Sequence, residues 1–181
     1  DFERPWVSGR KINGPKLWHV TGREGLRSCV VNVPVTYPPE PLDGVMVTGM
    51  LTPGLKADFT YPPELRNALL ASVPDYQIDV DVQLTARDAD CGKAVHRLIG
   101  EALTATKARG RAIRWLLERE NPDLAMVVFE MPDRLQHVLW RHIESLPSSL
   151  EGPTGDARVQ KDLLSCYQVL DEQIGRLIDW L

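Results

Sequence analysis

Apolar positions along the chain follow two different periods. Residues 28–33 (SCVVNV) are almost continuously apolar or β-branched and stop at Pro34. The shorter run at 45–48 has the same character, and residues 124–129 (LAMVVF) are apolar throughout. Such unbroken runs predict strands covered on both faces. Residues 76–84 alternate instead, with Ile78, Val80, Val82 and Leu84 apolar, which predicts a strand with one buried face. Helical spacing dominates elsewhere. Val95, Leu98, Ile99, Leu103, Ala112, Ile113, Leu116 and Leu117 recur at three and four, predicting a long helix over 90–120 that Asn121-Pro122-Asp123 breaks. A short helix is expected over 17–25 with Gly25 at its C-terminal cap, and another after Pro63 on Leu65, Leu69 and Leu70, with Pro62 or Pro63 in its first turn. Two more follow, one opening at Asp133–His137 and running through Ile143, the other over 159–181.

Between these elements, residues 1–14 are polar and turn-rich, 34–64 form a Pro-rich loop region, and 147–155 form a polar loop. The pentapeptide TYPPE occurs at 36–40 and again at 60–64. Its flanks do not match, so it reads as two turn signals and not as a repeat. Apolar strands separated by long helices predict an α/β sandwich with a mostly parallel sheet, in which ligands bind beyond the carboxyl ends of the strands. Residues 131–137 follow such an end.

Composition changes this picture little. The apolar and charged fractions, 43% and 25%, are those of an ordinary globular domain. A net charge of −4 argues against a basic nucleic-acid groove, though not against a phosphorylated substrate held through metal ions. Cys29, Cys91 and Cys166 are scattered and form no CxxC pair, so a reducing, cytoplasmic setting is expected in place of a disulfide framework. No run of about 18 apolar residues predicts a membrane span.

One pair carries candidate chemistry. Asp133 is placed to cap a helix, and His137 lies one turn later on the same face, about 5–6 Å away between Cβ atoms. A carboxylate oxygen and an imidazole nitrogen at that reach can share a divalent ion. The alternative is a helix cap beside a partly exposed histidine. His19, His96 and His142 are poor further ligands by position. No HExxH, GxSxG, GxGxxG or phosphate-cradling glycine loop occurs.

Several stretches taken in order resemble a known family. They are CVVNVPVTYPP (29–39), GVMVTGMLTP (44–53), FTYPPEL (59–65), DYQIDVD (75–81), RAIRWLLERE (111–120) and PDLAMVVFEMPDRLQHVLW (122–140). Together they resemble the type I phosphodiesterase/nucleotide pyrophosphatase branch of the alkaline phosphatase superfamily. That resemblance implies an α/β/α sandwich with two divalent ions, usually zinc, at the strand ends. It also implies ligands from widely separated segments, of which an Asp-x-x-x-His pair matches Asp133 and His137. Relatives place a small Ser-Gly inside this pair where Leu135-Gln136 stands here. The nucleophilic Thr or Ser and a further Asp-His pair have no counterpart, so the chain is expected to be an internal portion of one catalytic domain, 1–181, inactive alone.

The implied reaction is hydrolysis of a phosphate ester, a phosphodiester or a nucleotide pyrophosphate. The implied partner is a small phosphorylated molecule, a nucleotide being one example. Alternatives on the same scaffold are a phosphomutase, a sulfatase-like hydrolase or a non-catalytic binding module. Tyr37, Thr52 and Tyr61 either border a substrate pocket or lie in loops shaped by their prolines. Arg134 either meets phosphate or is a solvated surface arginine. Trp115 and Trp140 are expected to pack in the core.

Overall fold

The computed structural model describes residues 8–80, 92–144 and 157–180. The 147–155 loop, the second half of the expected 76–84 strand, residues 1–7 and Cys91 lie outside the described residues. After a short 3-10 turn at Gly9–Lys11 come α1 (Leu17–Arg23), β1 (Ser28–Val31), β2 (Gly44–Val47), β3 (Thr60–Tyr61) and α2 (Leu65–Ser72). Then follow α3 (Gly92–Glu120), β4 (Leu124–Val127), α4 (Met131–Glu144) and α5 (Ala157–Ile178). The chain divides into two compact units, Asp1–Asp79 with Arg111–Val128, and Val80–Gly110 with Phe129–Leu181.

In the first unit the four strands form one sheet in the order β3-β2-β1-β4. β1 pairs in parallel with both β2 and β4, while β2 and β3 are antiparallel. One row of side chains crosses the whole sheet: Tyr61, Met46, Val30 and Met126 are in register. Trp18 of α1 packs onto this row. All four residues of β1 are buried, as its continuous apolar run requires. β4 departs from the expectation of full burial: Ala125 is exposed and its neighbours are half-buried, because β4 ends the strand order among the described residues.

Local signals account for most boundaries. Gly25, at φ 74°, ends α1 as expected; its N–H bonds Gly22 O and that of Leu26 bonds Thr21 O, the paired bonds of a Schellman cap. α3 stops where Asn121 turns to φ 42° and Asp123 folds back, its carboxylate accepting from Arg27 N at 2.8 Å. Pro62 and Pro63 lie just before α2, not inside its first turn; their carbonyls accept from Leu65 N and Arg66 N. Both Tyr-Pro bonds of the two TYPPE segments, Tyr37-Pro38 and Tyr61-Pro62, are cis.

One expectation fails, and one strand arises that the sequence did not signal. Residues 76–80 form no ladder, although Tyr76, Ile78 and Val80 are buried in the predicted alternation. Tyr76 stacks on Phe59, and the Ile78 carbonyl accepts from the Asn32 side chain at 2.9 Å, so side-chain partners stand in this segment. β3 had no sequence signal. Its two residues pair with β2 in the middle of the Pro-rich region, too short for any period to register.

The loops leaving β1 and β2 interlock. Gly49 N donates to Thr36 Oγ1 at 3.1 Å, and Val35 N donates to Met50 O at 3.2 Å. A Cβ at Gly49 would stand 2.3 Å from Asn32 O, so only glycine lets the two backbones come this close. Asn32 (φ 59°), Val35 (φ 61°) and Leu51 (φ 75°) hold left-handed backbone in these loops. At the far side of the unit, Arg111 clamps Asp75 through both carboxylate oxygens, at 2.5 and 2.6 Å, which holds the Asp75 carboxyl below the usual carboxylate range.

In the second unit, α3, α4 and α5 enclose a core of Val95, Leu98, Ile99, Leu135, Leu139 and Leu163, among others. At Gly110 a Cβ would meet the buried Gln173 side chain, so the missing side chain lets α3 and α5 approach closely. Among the described residues, no helix is long and apolar enough to cross a membrane.

Candidate functional site

α4 is amphipathic with a sharp division. Met131, Leu135 and Leu139, spaced at four, are buried in the core of the second unit. The same spacing turns Asp133 and His137 outward, with side chains 68% and 72% exposed. Their nearest atoms, Asp133 Oδ1 and His137 Nε2, are 3.3 Å apart. Only residues 128–130 separate α4 from β4 along the chain.

Asp133 is not the helix cap that its position suggested. α4 begins at Met131, which makes Asp133 its third residue, inside the first turn. A carboxylate there still meets the positive end of the helix dipole, worth about 0.3–1 kcal/mol. An exposed histidine–carboxylate pair is worth little by itself, on the order of 0–1 kcal/mol. Neither side chain is committed to packing, so both donor atoms remain open to an outside ligand.

A carboxylate oxygen with an imidazole nitrogen is the mixed donor set that zinc and similar divalent ions accept. The fit is that of a half-site. Among the described residues, no group of three or more His, Cys, Asp or Glu side chains converges to hold an ion. The other histidines are engaged elsewhere. His96 Nδ1 lies 2.9 Å from Asp162 Oδ2, tying α3 to α5, and His19 Nε2 lies 3.3 Å from Glu40 Oε1. His142 is half-buried beyond the break in α4 at Leu139 (φ −114°, ψ 19°), with an interaction of its own.

The remaining sequence candidates separate. Trp140 is 57% exposed and does not pack in the core: three residues after His137 and seven after Asp133, it shares their outward face of α4. Trp115 is half-buried, its ring under the Arg119 guanidinium at 5.3 Å. Arg134 is half-buried and already engaged. Thr52 is held inside its own loop, its hydroxyl bonded to Gly49 O at 2.6 Å and 2.8 Å from Thr48 Oγ1. Tyr61 packs with the Trp18 row, and the Tyr37 carbonyl accepts from Gly9 N.

The first unit has a cavity bordered by the first TYPP segment, whose full lining the sequence did not assemble. It lies where the chain leaves β1 and includes Thr36 and Pro38 of the first TYPP segment, together with Lys16, Trp18 and Glu40. Its only sequence signal was the crowding of prolines around an aromatic and two opposite charges, which no period or spacing rule detects.

The family model for type I phosphodiesterase / nucleotide pyrophosphatase matches residues 2–181, essentially the whole chain. This chain belongs to the type I phosphodiesterase/nucleotide pyrophosphatase family. Membership assigns it, in general terms, to the phosphodiesterase- and pyrophosphatase-type hydrolases, a family that generally uses divalent metal ions. The four-stranded, mostly parallel sheet with its helices is consistent with an alkaline-phosphatase-like sandwich, incomplete among the described residues. No curated protein and no solved structure matches the chain.

Proposed function

We propose that this phosphodiesterase-family chain takes part in metal-dependent hydrolysis of a phosphodiester or nucleotide pyrophosphate, with Asp133 and His137 as two ligands of one divalent ion, zinc by donor type. The observation that carries this reading is the 3.3 Å approach of a carboxylate and an imidazole on the solvent face of α4. The burial of Leu135 and Leu139 behind them fixes that face outward.

When bound, the ion supplies Lewis acidity toward phosphoryl oxygens and positive charge that the chain, at net −4, lacks. Asp133 contributes as an ionised carboxylate and His137 through the lone pair of a neutral imidazole. Protonation of either removes a ligand, so binding falls on acidification. The helix keeps the two groups one turn apart, so little order has to be created on binding. Other ligands must complete the ion's shell, since catalytic zinc takes about three protein donors. The chain alone is therefore proposed to bind the ion weakly and to be inactive. The substrate is a small phosphorylated molecule such as a nucleotide. The free, buried thiols Cys29 and Cys166 support a reducing, cytoplasmic setting.

Calorimetric titration of zinc into the 181-residue chain tests the ligation. Weak binding is expected, reduced at least about tenfold by Asp133→Ala or His137→Ala. Equal binding by the double variant would show that the pair is not a ligand. Tight stoichiometric binding would refute the half-site reading, as would turnover of an aryl phosphodiester by the chain alone.

A further inference from the structure

The cavity beside β1 has a volume of about 110 Å³. Whole-ligand sites run to about 300–1,000 Å³, and a cavity of about 150 Å³ holds benzene. The space is therefore right for most of one ring, with the remainder at the rim beside the exposed Ile12, and too small for a fused pair.

Its walls are of two kinds. Ile12, Val33, Pro34, Val35 and Pro38 make an apolar surface. That surface is rigid: the two prolines have fixed φ, and Val35 is held at φ 61° with its N–H bonded to Met50 O. Left-handed backbone at a β-branched residue is costly and tends to accompany binding or catalytic surfaces. Opposite charges complete the lining. Glu40 is a hub, accepting from Lys16 Nζ at 2.6 Å and from Trp18 Nε1 at 2.8 Å, with His19 Nε2 at 3.3 Å. Lys16 and Glu40 offset each other, so the polar end offers a donor and an acceptor without net charge.

The geometry points to a subsite for a single six-membered aromatic ring whose edge is neutral and both donates and accepts a hydrogen bond. The ring lies on the proline–valine wall. Its polar edge accepts from the Lys16 ammonium and donates to the Glu40 carboxylate. An anionic ring substituent would face Glu40 and a cationic one would face Lys16, so either charge is disfavoured. The cavity is lined only by residues within 9–40, and the inference does not depend on Asp133, His137 or the hydrolase reading, so either can fail without the other.

The test is titration of phenol, benzene, benzoate and benzylamine into the full chain, following the Trp18 indole N–H in nitrogen-correlated NMR spectra. Phenol should shift that signal saturably, with benzoate and benzylamine at least about tenfold weaker. Ile12 is 46% exposed at the rim, so Ile12→Phe can fill the cavity with a single ring without disturbing the core, and it should weaken phenol at least about tenfold. Lys16→Met, which keeps the aliphatic stem, should bring phenol down toward benzene while leaving benzene unchanged. Absence of a saturable shift overturns the assignment, as does undiminished binding in Ile12→Phe. Benzoate or benzylamine binding as well as phenol overturns the neutral edge.

Discussion

Tyr76→Phe removes one hydroxyl and nothing else of the ring that stacks on Phe59. That hydroxyl donates to Asn32 Oδ1 at 2.6 Å, and Tyr76 and Asn32 are 1% and 0% exposed. Water cannot replace the lost donor without opening the core. The acceptor is left buried and unsatisfied, at a cost of about 1–3 kcal/mol. For a chain of this size that lowers Tm by about 2–12 °C. Asn32 carries more than this one bond. Its Nδ2 donates to Ile78 O at 2.9 Å, and its backbone stands at φ 59°, where asparagine is tolerated and alanine is strained. Asn32→Ala loses both side-chain bonds and adds the strain, roughly 3–8 kcal/mol in all. Asn32→Gly loses the bonds but accepts the backbone, so it should fall between the other two. Urea unfolding followed by tryptophan fluorescence, with far-ultraviolet circular dichroism to confirm an unchanged native fold, measures all three. A Tyr76→Phe change below about 0.5 kcal/mol, or Asn32→Gly less stable than Asn32→Ala, would refute the account of this clasp.

Two other outcomes follow from the same packing. Gly49→Ala places a Cβ 2.3 Å from Asn32 O and 2.6 Å from Val33 O, backbone atoms that cannot swing aside. A loss of about 3 kcal/mol is expected in thermal unfolding, and an unchanged Tm would contradict the interlocked loops. Burial pushes the Cys29 and Cys166 thiols from 9.0 up to about 12, with the Glu120 carboxylate adding to the first and Asp162 to the second. A raised folded-state pKa means the folded protein holds these protons more tightly than the unfolded chain. Their contribution to stability is full below pH 9.0 and lost as pH rises through about 12. In a Cys91→Ser background, iodoacetamide should leave both thiols unmodified at pH 8.5 until denaturant is added; rapid modification of the folded chain would count against their burial.

The sheet's interior was legible because its strands are covered on both faces. SCVV in β1 and GVMV in β2 are apolar at almost every position and almost wholly buried, whereas the equally apolar LAMV of β4 is only half-buried because it ends the described strand order. The long helices were legible because about eight apolar positions at three-and-four spacing rarely arise otherwise. Asp133 and His137 were recognisable as a same-face pair for the same reason, since four residues is close to one helical turn. Residues 76–80 misled because alternating burial has more than one cause. Their side chains alternate between core and solvent, yet they form no strand among the described residues, and the Ile78 carbonyl is met by the Asn32 amide. Trp140 misled because its size suggested burial, while its position three residues after His137 puts it on the outward face of α4.

Periodicity and breakers were enough to determine the α/β class and most of the elements in order, and several stretches taken together resembled the family whose model the chain matches. These are local properties, set by which side chains can face a core at period two or 3.6. Tertiary structure alone decided that β4 ends the described strand order, that Gly49 and Asn32 meet across two loops, and that Glu40 gathers Lys16, Trp18 and His19 at a cavity. Each of those depends on residues distant in sequence arriving at one place. The energy of that meeting, whether a bond satisfied in the dark of a core or a Cβ excluded by a carbonyl, belongs to the pair and is written at neither position.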